Sequence, residues 1–360
     1  MKAIASFFRS TRKLIATFGF AVASVGCSSE AAPSGGAEAS ADDLRTGNVV
    51  TVAEVNLRLP TLSVQSLVSD GTNAYWYADR SIWRAPLSGQ GPTTKLLVDV
   101  PSSMNGGIIT MSAPGQLIVA GDDELRTIAV DLKDPEKWKS GTLGKVALDY
   151  PDSSSIDDLN YVDGYVYFSI MIGTAGDVFR VRTTGGVPEN LSAEGQKTYA
   201  QEIRSMAATP AGVFWTTFWP GVQFRAHGSN HTSTIPAPPR SAVRVLASGT
   251  SAFWNDGGQL WIGTVDPRSG EGTSRPLMDE KTRASVSSPS SFALAVDAKR
   301  VYWVSGGNIV ATTWPSGAET VVLAKGQDRV ADLTVDSKNV SWSVPTSDVQ
   351  TIVRSVKKPF

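Results

Sequence analysis

Few residues of this 360-residue chain are of a type and spacing that could do chemistry. Cys27 is the only cysteine, so neither an intrachain disulfide nor a thiolate metal site can form. The two histidines, His227 and His231, stand four apart, a spacing that puts metal ligands on one helix face. Gly228, Ser229 and Asn230 between them instead predict a turn, and no third ligand is near. Asp149, Asp152, Asp157 and Asp158 lie among serines. They lack the order of a calcium-binding loop and read as a solvated turn, as does the hairpin turn Asp122-Asp123-Glu124. No G-x-S-x-G elbow and no phosphate-cradling glycine loop is present. No catalytic or metal-ligating residue and no cofactor is therefore assigned. Three loop-like tryptophans remain, Trp138, Trp219 and Trp314. Trp219-Pro220 and Trp314-Pro315 sit beside turns, where an exposed ring could stack on a sugar or anchor a protein; the alternative is a ring packed inside the fold.

The elements that would carry these residues are strands. Hydrophobic residues make up 41%, charged residues only 19%, and 33 glycines and 20 prolines cut the chain into short pieces, an all-β profile. The segment from Leu294 to Ala324 shows the unit most clearly. Alternating apolar residues run to a turn at Asp297–Arg300; Val301-Tyr302-Trp303, Ile309-Val310 and Val321-Val322-Leu323 follow, separated by glycine turns. Equivalent positions recur at Trp76, Val119, Phe168, Trp215, Trp254, Trp303 and Trp342, a mean period of about 44 residues. The copy around Val119 is faint and has no aromatic pair.

A four-stranded unit at that period predicts a β-propeller of about seven blades. The last copy ends after three strand-like segments, while a spare strand-like run, Val49 to Val55, precedes the first. We expect that N-terminal strand to pair with the last blade and close the ring.

The N-terminus reads as an address. Lys2, Arg9, Arg12 and Lys13 precede an uncharged stretch, Leu14 to Val25, shorter than the roughly 20 apolar residues of a membrane span. It ends in Ser24-Val25-Gly26-Cys27, which resembles a lipobox, with Ser24 where leucine is usual. The resemblance implies cleavage before Cys27 and attachment of diacylglycerol and an acyl chain such as palmitate to it. Residues 1–26 are then a lipoprotein signal peptide, 27–48 a tether too poor in large apolar residues to fold, and 49–360 the propeller. Ser28 after the cysteine implies, by the same resemblance, the outer membrane of a bacterial envelope. Loss of four basic residues leaves the mature chain at a net charge of about −5 with no basic run, which argues against nucleic-acid binding.

Val296-Asp297, Val301-Tyr302-Trp303 and Pro315-Ser316-Gly317 resemble the unit of YWTD-like propellers, and more closely that of bacterial repeat lipoproteins. Val335-Asp336 with Val340-Ser341-Trp342 is a second partial match, and the Asp that would complete YWTD is missing after Trp76 and Trp303. The resemblance implies a fold and a location, but no catalytic residues. The expected function is a monomeric, lipid-anchored surface module that binds a protein or glycan. Two alternatives stand beside it: a lactonase-like hydrolase or lyase with an axial divalent metal, and an envelope scaffold.

Overall fold

A computed structural model describes residues 47–57, 64, 66–98, 108–121, 124–131, 133–134, 137–145, 154–172, 175–192, 203–217, 221–237, 244–256, 259–278, 289–347 and 349–360. The chain divides into two units, Met1–Ala41 and Asp42–Phe360. The first unit, with Cys27 and the expected signal peptide, lies outside the described residues.

The second unit is a seven-bladed β-propeller of four-stranded antiparallel sheets. Strand β1 is Val50–Asn56. Blade 1 holds β2 to β5 (Ser66–Ser69, Asn73–Ala78, Ser81–Pro86, Thr94–Val98) and blade 2 holds β6 to β9 (Ile108–Ala113, Gln116–Ala120, Glu124–Val130, Trp138–Lys145). Blade 3 holds β10 to β13 (Ser154–Val162, Tyr165–Ile172, Ala175–Arg182, Glu189–Asn190) and blade 4 β14 to β17 (Ile203–Thr209, Gly212–Thr217, Val222–Ala226, Ser233–Ile235). Blade 5 holds β18 to β21 (Val245–Ser248, Ser251–Asp256, Gln259–Val265, Gly272–Pro276) and blade 6 β22 to β25 (Pro289–Val296, Arg300–Ser305, Asn308–Thr313, Thr320–Ala324). Blade 7 holds β26 to β28 (Asp332–Val335, Asn339–Ser347, Gln350–Lys357). Strand β1 supplies its fourth strand, in the order β1-β28-β27-β26, so the two ends of the chain's strand order meet in one sheet as expected. The faint copy around Val119 is a full blade.

The repeat holds at single-residue resolution. Trp76, Val119, Phe168, Trp215, Trp254, Trp303 and Trp342 lie on the second strand of their blades. Each pairs with an apolar residue of the first strand: Leu67, Ile109, Leu159, Met206, Val245, Leu294 and Leu333. All seven second-strand residues are buried. The core is seven wedges between blades rather than one central mass, and the aromatic pair feeds two of them because neighbouring strand residues point to opposite faces. Trp303 packs with blade 5, beside Phe253 and Leu260, while Tyr302 packs with blade 7, beside Trp342 and Val340. Trp76 likewise meets Val353 of blade 7, and Tyr75 meets Ile109 of blade 2. Gly263 is forced by this packing: a Cβ there would stand 2.8 Å from the Trp254 ring.

The Asp of the repeat closes its first turn. Asp297 Oδ1 accepts the backbone N–H groups of Lys299 and Arg300 (2.8 and 2.9 Å), and Tyr302 donates its hydroxyl to Oδ2 (2.6 Å). Asp70 does the same with Thr72, Asn73 and Tyr75. In blade 7, Ser341 stands where the tyrosine would be. Asp336 there takes its hydroxyl from Ser69 of blade 1 instead, at 2.6 Å, which adds a tie across the closing junction. Lys358 supplies another tie: from a mostly buried side chain, its Nζ reaches back to Asp297 of blade 6 at 2.6 Å.

Candidate functional site

The first strands of the blades, β2, β6, β10, β14, β18, β22 and β26, neighbour one another around the axis. They wall a cavity of about 950 Å³. One register recurs in all seven: the residue just before the apolar partner of the aromatic position. Ser66, Ile108, Asp158, Ser205, Arg244, Ala293 and Asp332 occupy it.

Four of these side chains lock their blade to the next. Asp332 Oδ2 accepts the N–H of Leu67 (3.0 Å), Asp158 Oδ2 that of Met206 (2.9 Å), and Ser205 Oγ that of Val245 (3.1 Å). Ser66 Oγ both accepts from Ile109 N–H (3.1 Å) and donates to Ile109 C=O (3.2 Å). First-strand edges have no further strand to bond. These oxygens satisfy backbone donors that would otherwise be stranded along the axis.

The remaining charged member faces two of them. Arg244 Nη1 lies 3.5 Å from Asp332 Oδ1, and its charge also acts on Asp158. Burial pushes the Asp158 carboxyl up to about 6; Arg244 and the N–H of Met206 oppose that shift, and neighbouring Asp157 adds to it. Asp332 is raised for the same first reason, burial, against the pull of Arg244 and the N–H groups of Leu333 and Leu67. Asp157, Asn160, Arg204, Thr110 and Thr334 add polar groups to the wall. The arrangement can recognise charge and hold a proton on a carboxylate. The described residues contain no group of three or more His, Cys, Asp or Glu side chains able to hold a metal ion.

Asp157 and Asp158 correct the expectation of a solvated turn at Asp149–Asp158. They belong to β10, on the axis. Asp149 and Asp152 lie outside the described residues, as do Asp122, Asp123 and Trp219; Glu124 opens β8 and pairs with Arg126 at 2.7 Å. Trp138 opens β9 rather than a loop and packs half-buried on the wedge between blades 1 and 2. Trp314 packs on Phe253 edge to face with centroids 5.2 Å apart, and its indole N–H donates to Asp297 C=O at 3.0 Å. His227 is engaged, half-buried on the turn after β16: Nε2 donates to Thr209 C=O (2.8 Å), which leaves Nδ1 to accept the Tyr167 hydroxyl (3.3 Å). His231 is exposed on the following turn.

Sequence reasoning missed the axial ring. Its one signal was a polar residue directly before the first-strand Leu or Met, in Ser66-Leu67, Asp158-Leu159, Ser205-Met206 and Asp332-Leu333.

No protein-family model matches the chain, and no curated protein does. Solved structures do. The chain resembles the β-propeller domain of Cps50 (Swd1) from Myceliophteria thermophila, with 10% identity, a TM-score of 0.59, and 86% of this chain and 100% of that one covered. It is similar to YCF48 bound to D1 peptide (12%, 0.56, 88% and 100%), and YCF48 from Cyanidioschyzon merolae is a further neighbour (11%, 0.53, 86% and 99%). PorZ, a surface component of the type-IX secretion system of Porphyromonas gingivalis, matches over 87% of this chain (10%, 0.54); the chain spans 40% of its length. At such identities the likeness is one of fold.

Proposed function

We propose that this chain is a lipid-anchored envelope protein whose propeller binds a protein or glycan through the axial cavity. The anchor rests on the Ser24-to-Cys27 motif. The observation that carries the binding reading is the ring itself: Arg244, Asp158 and Asp332 converge from three blades on a cavity of about 950 Å³. Rigid inter-blade bonds hold two of these side chains in place before any ligand arrives, which lowers the ordering cost of binding. Among the neighbours of like fold, one is described with a bound peptide and one as a bacterial surface component, uses compatible with this reading.

Peptide and glycan arrays probed with residues 42–360 test it, alongside Thr334→Trp, which places an indole in the cavity. A ligand held by the unaltered protein and lost in the variant supports axial binding. A ligand held equally by both overturns it.

The enzyme alternative has one supporting observation, the raised carboxyl of Asp158 in a cleft. A stoichiometric divalent ion in untagged protein would favour it.

A further inference from the structure

Among the described residues, the charges that line the cavity are unequal: Asp157, Asp158 and Asp332 stand against Arg204 and Arg244, three carboxylates to two guanidiniums. Asp158 and Asp332 are held ready: each keeps one oxygen on a backbone N–H of the next blade. The Arg244 guanidinium acts on both. The wall around these charges is aliphatic, with Val68, Leu246, Val296 and Val335 among its members, and no aromatic ring is among the described residues that line it.

Those features select among ligands. A sugar is gripped best by flat aromatic faces, which this wall lacks. An acidic group would add to the excess of carboxylates. A long alkyl stem tipped by a cation suits both parts, its methylenes on the aliphatic wall and its charge at the ring. Lysine and arginine side chains have that form. We propose that the axial cavity receives a lysine or arginine side chain from an extended segment of a partner protein, its cationic tip lodging by Asp158 and Asp332 in competition with Arg244. This rests on the axial-binding reading and narrows it to basic peptide segments.

Isothermal titration calorimetry at pH 8 with residues 42–360 tests it. The probes are end-capped eight-residue Gly/Ser peptides whose one variable position is lysine, arginine, norleucine or glutamate. Lysine and arginine peptides should bind at least about tenfold tighter than the norleucine peptide, the worth of one charge-assisted hydrogen bond. Asp158→Asn, which keeps an acceptor for Met206 N–H, should weaken the lysine peptide about tenfold, whereas Arg244→Gln should tighten it by removing the competitor. A folding defect could only weaken binding, so the opposite signs separate charge from damage. Equal binding of the norleucine or glutamate peptide, no peptide binding, or weakening by Arg244→Gln would overturn the inference. A glucosamine oligomer that binds while the peptides do not, and is lost in Thr334→Trp, overturns it too but leaves axial binding standing. Peptide binding retained in Thr334→Trp overturns both.

Discussion

Arg244 and Asp332 stand two blades apart, yet the guanidinium comes within 3.5 Å of the carboxylate. Blade 6 lies between them and carries Ala293 at the same register, its methyl buried in the wedge between blades 6 and 7. One cation thereby acts on two carboxylates in the ring, Asp158 and Asp332. The same atoms that close the blade junctions set the electrostatics of the cavity, so structure and recognition share residues here.

The first consequence is a pH dependence. The Asp158 carboxyl titrates near 6 in the folded chain, against about 3.9 when unfolded. Between those values the native state holds a proton that the unfolded state has released. The contribution of Asp158 to stability therefore falls as pH rises from about 4 to about 6 and does not recover above. Asp158→Asn removes this titration. In urea unfolding it should gain on the unaltered protein across that window, by up to about 3 kcal/mol at 1.36 kcal/mol per unit, and by less insofar as cavity water reaches the carboxylate. A difference that stays flat with pH would contradict the assignment.

Ser66 carries the junction between blades 1 and 2 alone among the ring residues, through both backbone groups of Ile109. Ser66→Ala strands a buried N–H and C=O, and a loss of about 1–3 kcal/mol is expected. Ser88→Ala, on an exposed turn, should stay within about 0.5 kcal/mol. Chemical denaturation of the two variants side by side measures the contrast.

Asp297 titrates in the opposite direction. Burial alone would raise it, but the bonds from Lys358, Tyr302 and the N–H groups of Lys299 and Arg300 outweigh burial and hold it below the usual range. Its contribution is present above the unfolded value and is lost as pH falls through the lowered folded one. Lys358→Met should thus destabilise most at pH 7, and the gap to the unaltered protein should narrow towards pH 3. Melting curves at the two pH values decide this, and a constant gap would show that packing of the Lys358 stem accounts for the loss.

Cys27→Ser tests the proposed anchor. With no thiol to modify, the protein should leave the membrane fraction for the soluble one, and metabolic labelling with a palmitate analogue should fall to background. Retention of label in the variant would place the acyl group elsewhere.

Much of the fold could be read from residue order alone. Alternation of period two, the turn residues around Asp70, Asp297 and Asp336, and the aromatic position at Trp76, Trp254 and Trp303 are local signals; they depend on a strand having two faces. The closing strand was legible as well, since an unfinished last unit and a spare first strand are matters of counting. Blade 2 was faint because Val119 fills the aromatic position with less volume and the same polarity. The ring at the axis had no such local mark. Ser66, Asp158, Ser205, Arg244 and Asp332 differ in chemistry, and each looks like an ordinary polar residue in or beside a strand. Only when seven first strands stand around one axis do they share a register, and only then does a single arginine meet two carboxylates. The chain's sequence determined the repeat and its closure because these follow from neighbours along the chain. The charge balance of the cavity was decided by the tertiary structure, because it depends on distances between residues remote in sequence.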